Sequence, residues 1–390
     1  MKCLHVRSCA PAKPFRVFVG LVSLTVLLSA QTAPQRPHSA APPALAKIQK
    51  EAEAARQANQ VDEAIALYKK AVALEPAWDE GWWYLGSLYY DLDQYREGQG
   101  AFTHLTAIKP KNGAAWVMLG LCEFQTSDYK AALDHLGQGL GIGLPQDDQL
   151  SDVAHYHFAI LLTRYEQYEE AMHVLTVFAQ RNLNQPDFVE AMGIAAMRKP
   201  LLPKELPPTE REIVMDVGRA MYDAAGLRAR QAAGEFRILL AKYPDVPNIH
   251  YLYGSFLLFS DPDAGVVELK KELEASPDHV PDLVTLAAEY IRRQDFAAAL
   301  PYAEKAVSLD PQFFAAHTVL GRALVEGDSN VARGLQELEM ARRLAPNSPQ
   351  VHIALATAYT KAGRKEDAAR EREEFLRLRK LSETGGAGSQ

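Results

Sequence analysis

The feature that most constrains this chain is a period of 34 residues. Trp82-x-x-Leu85-Gly86-x-x-Tyr89 is followed by Trp116-x-x-Leu119-Gly120, so both the tryptophans and the glycines are 34 apart. Pro76 and Pro110 keep the same interval, as do Pro277 and Pro311. Pro311 and Pro346 are 35 apart, with one residue added near Gly327-Asp328. A unit this short cannot bury its apolar face alone, so its neighbours must stack on it. That excludes the two or three globular domains that 390 residues would otherwise imply.

The residue types at fixed positions have a physical logic. Positions 4, 7, 8 and 11 of each unit fall on one helical stripe. Position 8 is Gly or Ala, where two helices must cross closely, and Ala at position 20 does the same on a second helix. Proline at position 32 ends that second helix, because its ring removes a donor and clashes with the preceding turn. On this reading Trp82→Ala opens a core cavity costing about 3–5 kcal/mol.

These residues resemble the tetratricopeptide repeat family, whose pattern is W-x2-L-G-x2-Y…A-x3-F…P. The second unit carries Trp82, Leu85, Gly86, Tyr89, Phe102 and Pro110, departing only at Gly98, where alanine is usual. The first has Ala64, Tyr68, Ala71 and Pro76; the seventh has Leu286, Ala287, Tyr290, Ala299, Ala303, Ala306 and Pro311. The eighth has Leu320, Gly321, Leu324, Ala341 and Pro346, and the ninth Leu355, Ala356, Tyr359 and Ala368. The resemblance implies an all-α fold, a right-handed α-solenoid of antiparallel helix pairs, with nine units between about 45 and 382. About four repeats are expected over 45–185 and about five over 213–382. Residues 186–212 break the pattern, with one helix and then Pro200, Pro203, Pro207 and Pro208 in a loop. The charged stretch from Lys365 to Leu381 should cap the array with a polar face, and 383–390 should be a flexible tail.

The N-terminus reads as an address. Residues 1–30 contain Lys2, Arg7, Lys13, Arg16 and no acid, and end in the apolar run 17–30. A basic stretch followed by a short apolar one is a secretory signal. Cleavage is expected after Ala30. The alternative is a retained membrane anchor, although spanning a bilayer takes about 20 apolar residues. Cleavage leaves 38 of the 42 basic and all 49 acidic residues, a formal −11 in place of −7. That balance argues against nucleic-acid binding. It also leaves Cys122 as the one thiol. Residues 31–44 are rich in Pro and Ala and read as a linker. The expected location is the periplasm or cell envelope of a bacterium.

The resemblance places a concave groove along helix A at positions 5, 9 and 12. Trp83, Tyr90, Val117, Leu121, Phe124, Tyr156 and Ile160 stand there, across units two to four. They either form an aromatic groove for a protein or peptide partner, or fill space inside the superhelix or against the mid-chain loop. The carboxylate clamp of Lys, Arg and Asn known in the family is not supported at these positions.

No enzyme is expected. The sequence contains no H-E-x-x-H, G-x-S-x-G or C-x-x-C. His155 and His157 are two apart on a helix and cannot chelate one ion together. His155, His250, His317 and His352 occupy packing position 4 and read as structural. Gly137, Gly139, Gly141 and Gly143 miss the phosphate-cradle spacing and read as a long turn before Pro145. No catalytic, cofactor or metal residue is assigned. The alternatives kept open are a membrane-tethered assembly subunit, and an enzyme or cofactor-binding protein with its site in the central irregular segment.

Overall fold

A computed structural model describes residues 43–144 and 148–387. The expected signal, nearly all of the linker and the last residues of the tail lie outside them. Every regular element among the described residues is a helix. The chain divides into two compact units, Met1–Leu206 and Pro207–Gln390.

In the first unit α1 (Pro43–Gln57) packs on α2 (Val61–Leu74), and α3 (Asp79–Asp91) on α4 (Tyr95–Ile108). Likewise α5 (Gly113–Gln125) packs on α6 (Tyr129–Ile142), and α7 (Asp148–Arg164) on α8 (Tyr168–Gln180). A further helix, α9 (Pro186–Ala196), leads into a single 3-10 turn at Pro203–Glu205. The second unit holds five pairs. They are α10 (Arg211–Ala225) with α11 (Ala229–Lys242), α12 (Ile249–Leu257) with α13 (Pro262–Ala275), and α14 (Val280–Arg292) with α15 (Phe296–Leu309). The last two are α16 (Phe314–Glu326) with α17 (Val331–Leu344), and α18 (Pro349–Lys361) with α19 (Lys365–Ala387). Each unit is thus a stack of helix hairpins, the all-α repeat solenoid expected.

The turn between the two helices of a pair marks the register. Asn59, Asp93, Ser127, Glu166, Leu227, Gln294, Asp328 and Gly363 all have φ between 53° and 75°. A left-handed residue reverses the chain within two or three residues. Arg198 (φ 53°) stands in the same place after α9. So α9 is the first helix of a fifth repeat whose second helix is replaced by the proline-rich segment. Proline cannot supply the N–H groups a helix needs there. Every residue from Phe188 to Ala196 is buried, as suits a helix that is apolar nearly all round.

The small residues let helices cross closely. A side chain at Gly120 would bring its Cβ to 2.8 Å from Leu136 Cγ and 3.0 Å from the Leu136 nitrogen. Ala64, Ala132, Ala171, Ala232 and Ala299, all at position 20, are fully buried.

Position 4 does something the stripe alone did not specify. Trp82 Nε1 donates to the Pro76 carbonyl at 2.9 Å, and Trp116 Nε1 to the Pro110 carbonyl at 3.0 Å. His250, His317 and His352 make the same bond through Nε2 to the carbonyls of Pro244, Pro311 and Pro346, at 3.3, 3.0 and 2.8 Å. Their Nδ1 atoms face Glu268, Glu337 and Glu371 at 2.6 to 2.7 Å. The tryptophans have no second nitrogen, and rest instead on the rings of His104 and His135. In these five repeats the ring therefore ties the repeat to the end of the one before it, which gives the position 4 histidines of the second unit a structural role. Trp82 is only half-buried. Trp82→Ala should then cost about 2 kcal/mol, below the cavity estimate from sequence, as one hydrogen bond plus part of a side chain's burial. Urea unfolding followed by circular dichroism measures it.

Two expectations about local structure change. The stretch Gly137–Gly143 is not a turn: α6 runs through it to Ile142, and only Gly143, with φ 96°, leaves the helix. At Gly139 the missing side chain is what lets α5 lie against the helix. The last helix also extends past Leu381 to Ala387, into the span read as tail.

Candidate interaction surface

The groove positions divide by side-chain length. Val117 and Leu121 have no exposed surface and Ile160 has 4%. These three fill space inside the array, one of the two outcomes left open by the sequence. The reason is close helix packing: α5 contacts both α6 and α7, and Val117 faces Gly139 on α6. The aromatic residues reach further and stay half-buried. Trp83 lies edge-on to Phe102 at 5.8 Å between ring centroids, and Tyr90 edge-on to Tyr95 at 5.3 Å. Burial pushes the Tyr90 phenol upward, so it stays neutral.

Phe124 and Tyr156 belong to one aromatic run. Phe124 is edge-on to His157 at 4.7 Å, His157 lies 5.4 Å from Tyr156, and Tyr156 lies 5.7 Å from Phe188. Phe188 then stacks on Phe178 at 4.2 Å. The run crosses three successive repeats. Sequence reasoning missed His157 and Phe188. Phe188 was findable: with Arg198 as the turn residue, it occupies position 5 of the fifth repeat, the position of Trp83, Val117 and Tyr156.

A cavity of about 330 Å³ opens beside this run, between α7 and the start of α9. Gln149, Asp152, Val153, Tyr156, His157, Gln185, Asp187 and Phe188 line it. Its volume is at the small end of the ~300–1,000 Å³ usual for ligand sites. Burial lowers the basicity of His157. Its Nδ1 is 2.8 Å from the Val153 carbonyl, which can only accept, so Nδ1 carries the proton. Asp152 is held in a two-pronged pair by Arg181.

The proline-rich segment folds back on the same unit. Arg164 donates to the Pro200 carbonyl at 3.3 Å and to Glu205 at 2.6 Å, and Lys204 donates to the Tyr129 hydroxyl at 2.7 Å. Leu202 and Leu206 are buried. Tyr129 in turn touches Phe124 at 5.5 Å, so the segment borders one end of the aromatic run.

Cys122 is fully buried, and burial pushes its thiol up to about 12, so it is a poor nucleophile at neutral pH. Among the described residues, no group of three or more His, Cys, Asp or Glu is placed to hold a metal ion. No helix among them is long and apolar enough to cross a membrane.

Two family models of the tetratricopeptide repeat match the chain, one over residues 52–93 and the other over 84–140 and 284–349. No curated protein matches it. Similar solved structures include MamA, residues 41 to the end, from Desulfovibrio magneticus RS-1, at 20% identity. That match covers 42% of this chain and 92% of that one, with a TM-score of 0.37. MamA from AMB-1 is 23% identical over 41% of this chain and 95% of its own, with a TM-score of 0.36.

Proposed function

We propose that this chain is an exported interaction scaffold, and that its N-terminal unit takes a protein or peptide segment along the aromatic run. The observation that carries this reading is the run itself. Half-exposed Phe124 and Tyr156, at groove positions of successive repeats, are joined through His157 and continue to the buried Phe188 in steps of 4.7 to 5.7 Å, beside an open cavity. Aromatic rings give much contact area at low entropic cost, and they dominate binding energy where they cluster. The array is preformed, so little ordering opposes binding. The hypothesis keeps Trp83, Tyr90, Phe124 and Tyr156 as anchors, with Val117, Leu121 and Ile160 as the packing behind them.

The test is a cross-linked pull-down with residues 31–390, followed by affinity measurement on the captured partner. Trp83→Ala with Phe124→Ala should weaken that partner at least tenfold while the helical signal is kept. Unchanged affinity in a folded double variant removes the groove. Export is read from residues 1–30. N-terminal sequencing of the protein from the cell envelope should begin at Gln31; a start at Met1 favours the membrane-tethered subunit instead.

A further inference from the structure

The cavity beside the run has a polar character that the groove reading leaves unused. Its lining holds no lysine or arginine. Besides the amides of Gln149 and Gln185 and the Tyr156 hydroxyl, which can donate as well as accept, it holds groups that only accept. Asp187, the second residue of α9, is exposed, and among the described residues no cation pairs with it. Gln185 Oε1 is buried without a hydrogen-bond partner among the described residues. His157 has given its one ring proton to the Val153 carbonyl, so Nε2 is left as an acceptor. Asp152 adds a carboxylate already balanced by Arg181. Tyr156 and Phe188 form one aromatic side of it, in contact with each other at 5.7 Å between centroids and inclined at 56°, with one face of Phe188 covered by Phe178.

An anionic ligand would set acceptors against acceptors and leave the buried Gln185 oxygen unsatisfied. An apolar one would leave the buried Gln185 oxygen and His157 Nε2 unsatisfied. A cation rich in N–H groups satisfies them together. An ammonium is compact and strongly hydrated, whereas a planar guanidinium stacks on ring faces and carries five donors.

We infer that this cavity receives an arginine side chain from the segment bound along the groove. The guanidinium lies against Tyr156 and Phe188 and donates to Asp187, Gln185 and His157 Nε2. Burial, then the charges of Asp187 and Glu190, push the Tyr156 phenol upward, so the ring keeps a neutral hydroxyl in a negative field. This deepens the groove reading and rests on it, but it is tested through different residues.

The probe is a set of hexapeptides of alanine and leucine whose third residue is arginine, citrulline, lysine or norleucine. Citrulline keeps the shape of arginine and loses its charge. Binding to the full chain is followed by isothermal titration. Arginine should bind about tenfold more tightly than citrulline or norleucine, and more tightly than lysine. Asp187→Asn, at an exposed position, should abolish the preference, and Trp83→Ala with Phe124→Ala should weaken all four peptides alike. Equal binding of arginine and citrulline, equal binding of lysine, or a preference that survives Asp187→Asn overturns the assignment. If the peptides lose affinity in the groove double variant yet show no preference for arginine, only the cavity assignment falls. If arginine is preferred and the double variant binds normally, the groove falls and the cavity stands.

Discussion

Asp282→Asn should stabilise the second unit at pH 8, by about 3–5 kcal/mol, and leave it nearly unchanged near pH 4. Asp282 is the third residue of α14, where a helix N-terminus ordinarily favours negative charge. Here it has no exposed surface, and neither carboxylate oxygen has a hydrogen-bond partner among the described residues. Glu272 on α13 is its charged neighbour, and that carboxylate is committed to the start of α12. It accepts from the Asn248 nitrogen at 2.9 Å and the Tyr251 nitrogen at 3.3 Å. Burial, and then Glu272, push Asp282 from its ordinary 3.8 up to about 8. The folded chain therefore holds a proton that the unfolded chain releases near pH 4. Stability from this group is whole below pH 4 and falls by about 1.4 kcal/mol per unit as pH rises toward 8. Asparagine cannot ionise, so the variant escapes that loss. Urea unfolding by circular dichroism at pH 4.5, 6 and 8 reads the difference. All four tryptophans lie between residues 78 and 116, so their emission follows the first unit and serves as an internal control. Parallel stability curves for the two proteins would show that Asp282 is ionised in the fold.

The helix pairs were legible because repeat packing is written in residues that recur at short range. Gly86, Gly120 and Gly321 mark close crossings, and the proline spacing marks where pairs end. What was not legible depends on contacts between distant segments. Val117 shares position 5 with Trp83 and Tyr156, and Leu121 and Ile160 follow one turn on along the same face; only the approach of neighbouring helices decides that the aliphatic ones are covered. The docking of the proline-rich segment joins Lys204 to Tyr129 across 75 residues, with no local signal. Asp282 reads in sequence as an ordinary first-turn acid. Its burial beside Glu272 becomes visible only when α13 and α14 are placed together. His157 was set aside because it could not chelate with His155, yet its place in the aromatic run depends on a neighbouring helix, not on its own.

The glycine stretch of α6 yields a pair of opposite effects two residues apart. A Cβ at Gly139 would stand 2.7 Å from the Gly113 carbonyl oxygen, 2.8 Å from Val117 Cγ2 and 2.9 Å from the Val117 nitrogen. Two of those atoms are backbone at the start of α5, so the side chain cannot be accommodated by a rotamer change. The helices must separate, and the fully buried Val117 and Leu136 lose packing with them. Gly139→Ala should destabilise the first unit by about 2–3 kcal/mol, because overpacking outweighs the ~1 kcal/mol that alanine gains over glycine as a helix former. At Gly141 no atom of the described residues lies within 4 Å of where a Cβ would stand. Gly141→Ala should keep the propensity gain alone and stabilise by roughly 0.5–1 kcal/mol. Tryptophan emission during urea unfolding measures both variants, since Trp116 stands on α5 itself. If Gly139→Ala also stabilised the unit, α5 and α6 could not be in backbone contact there.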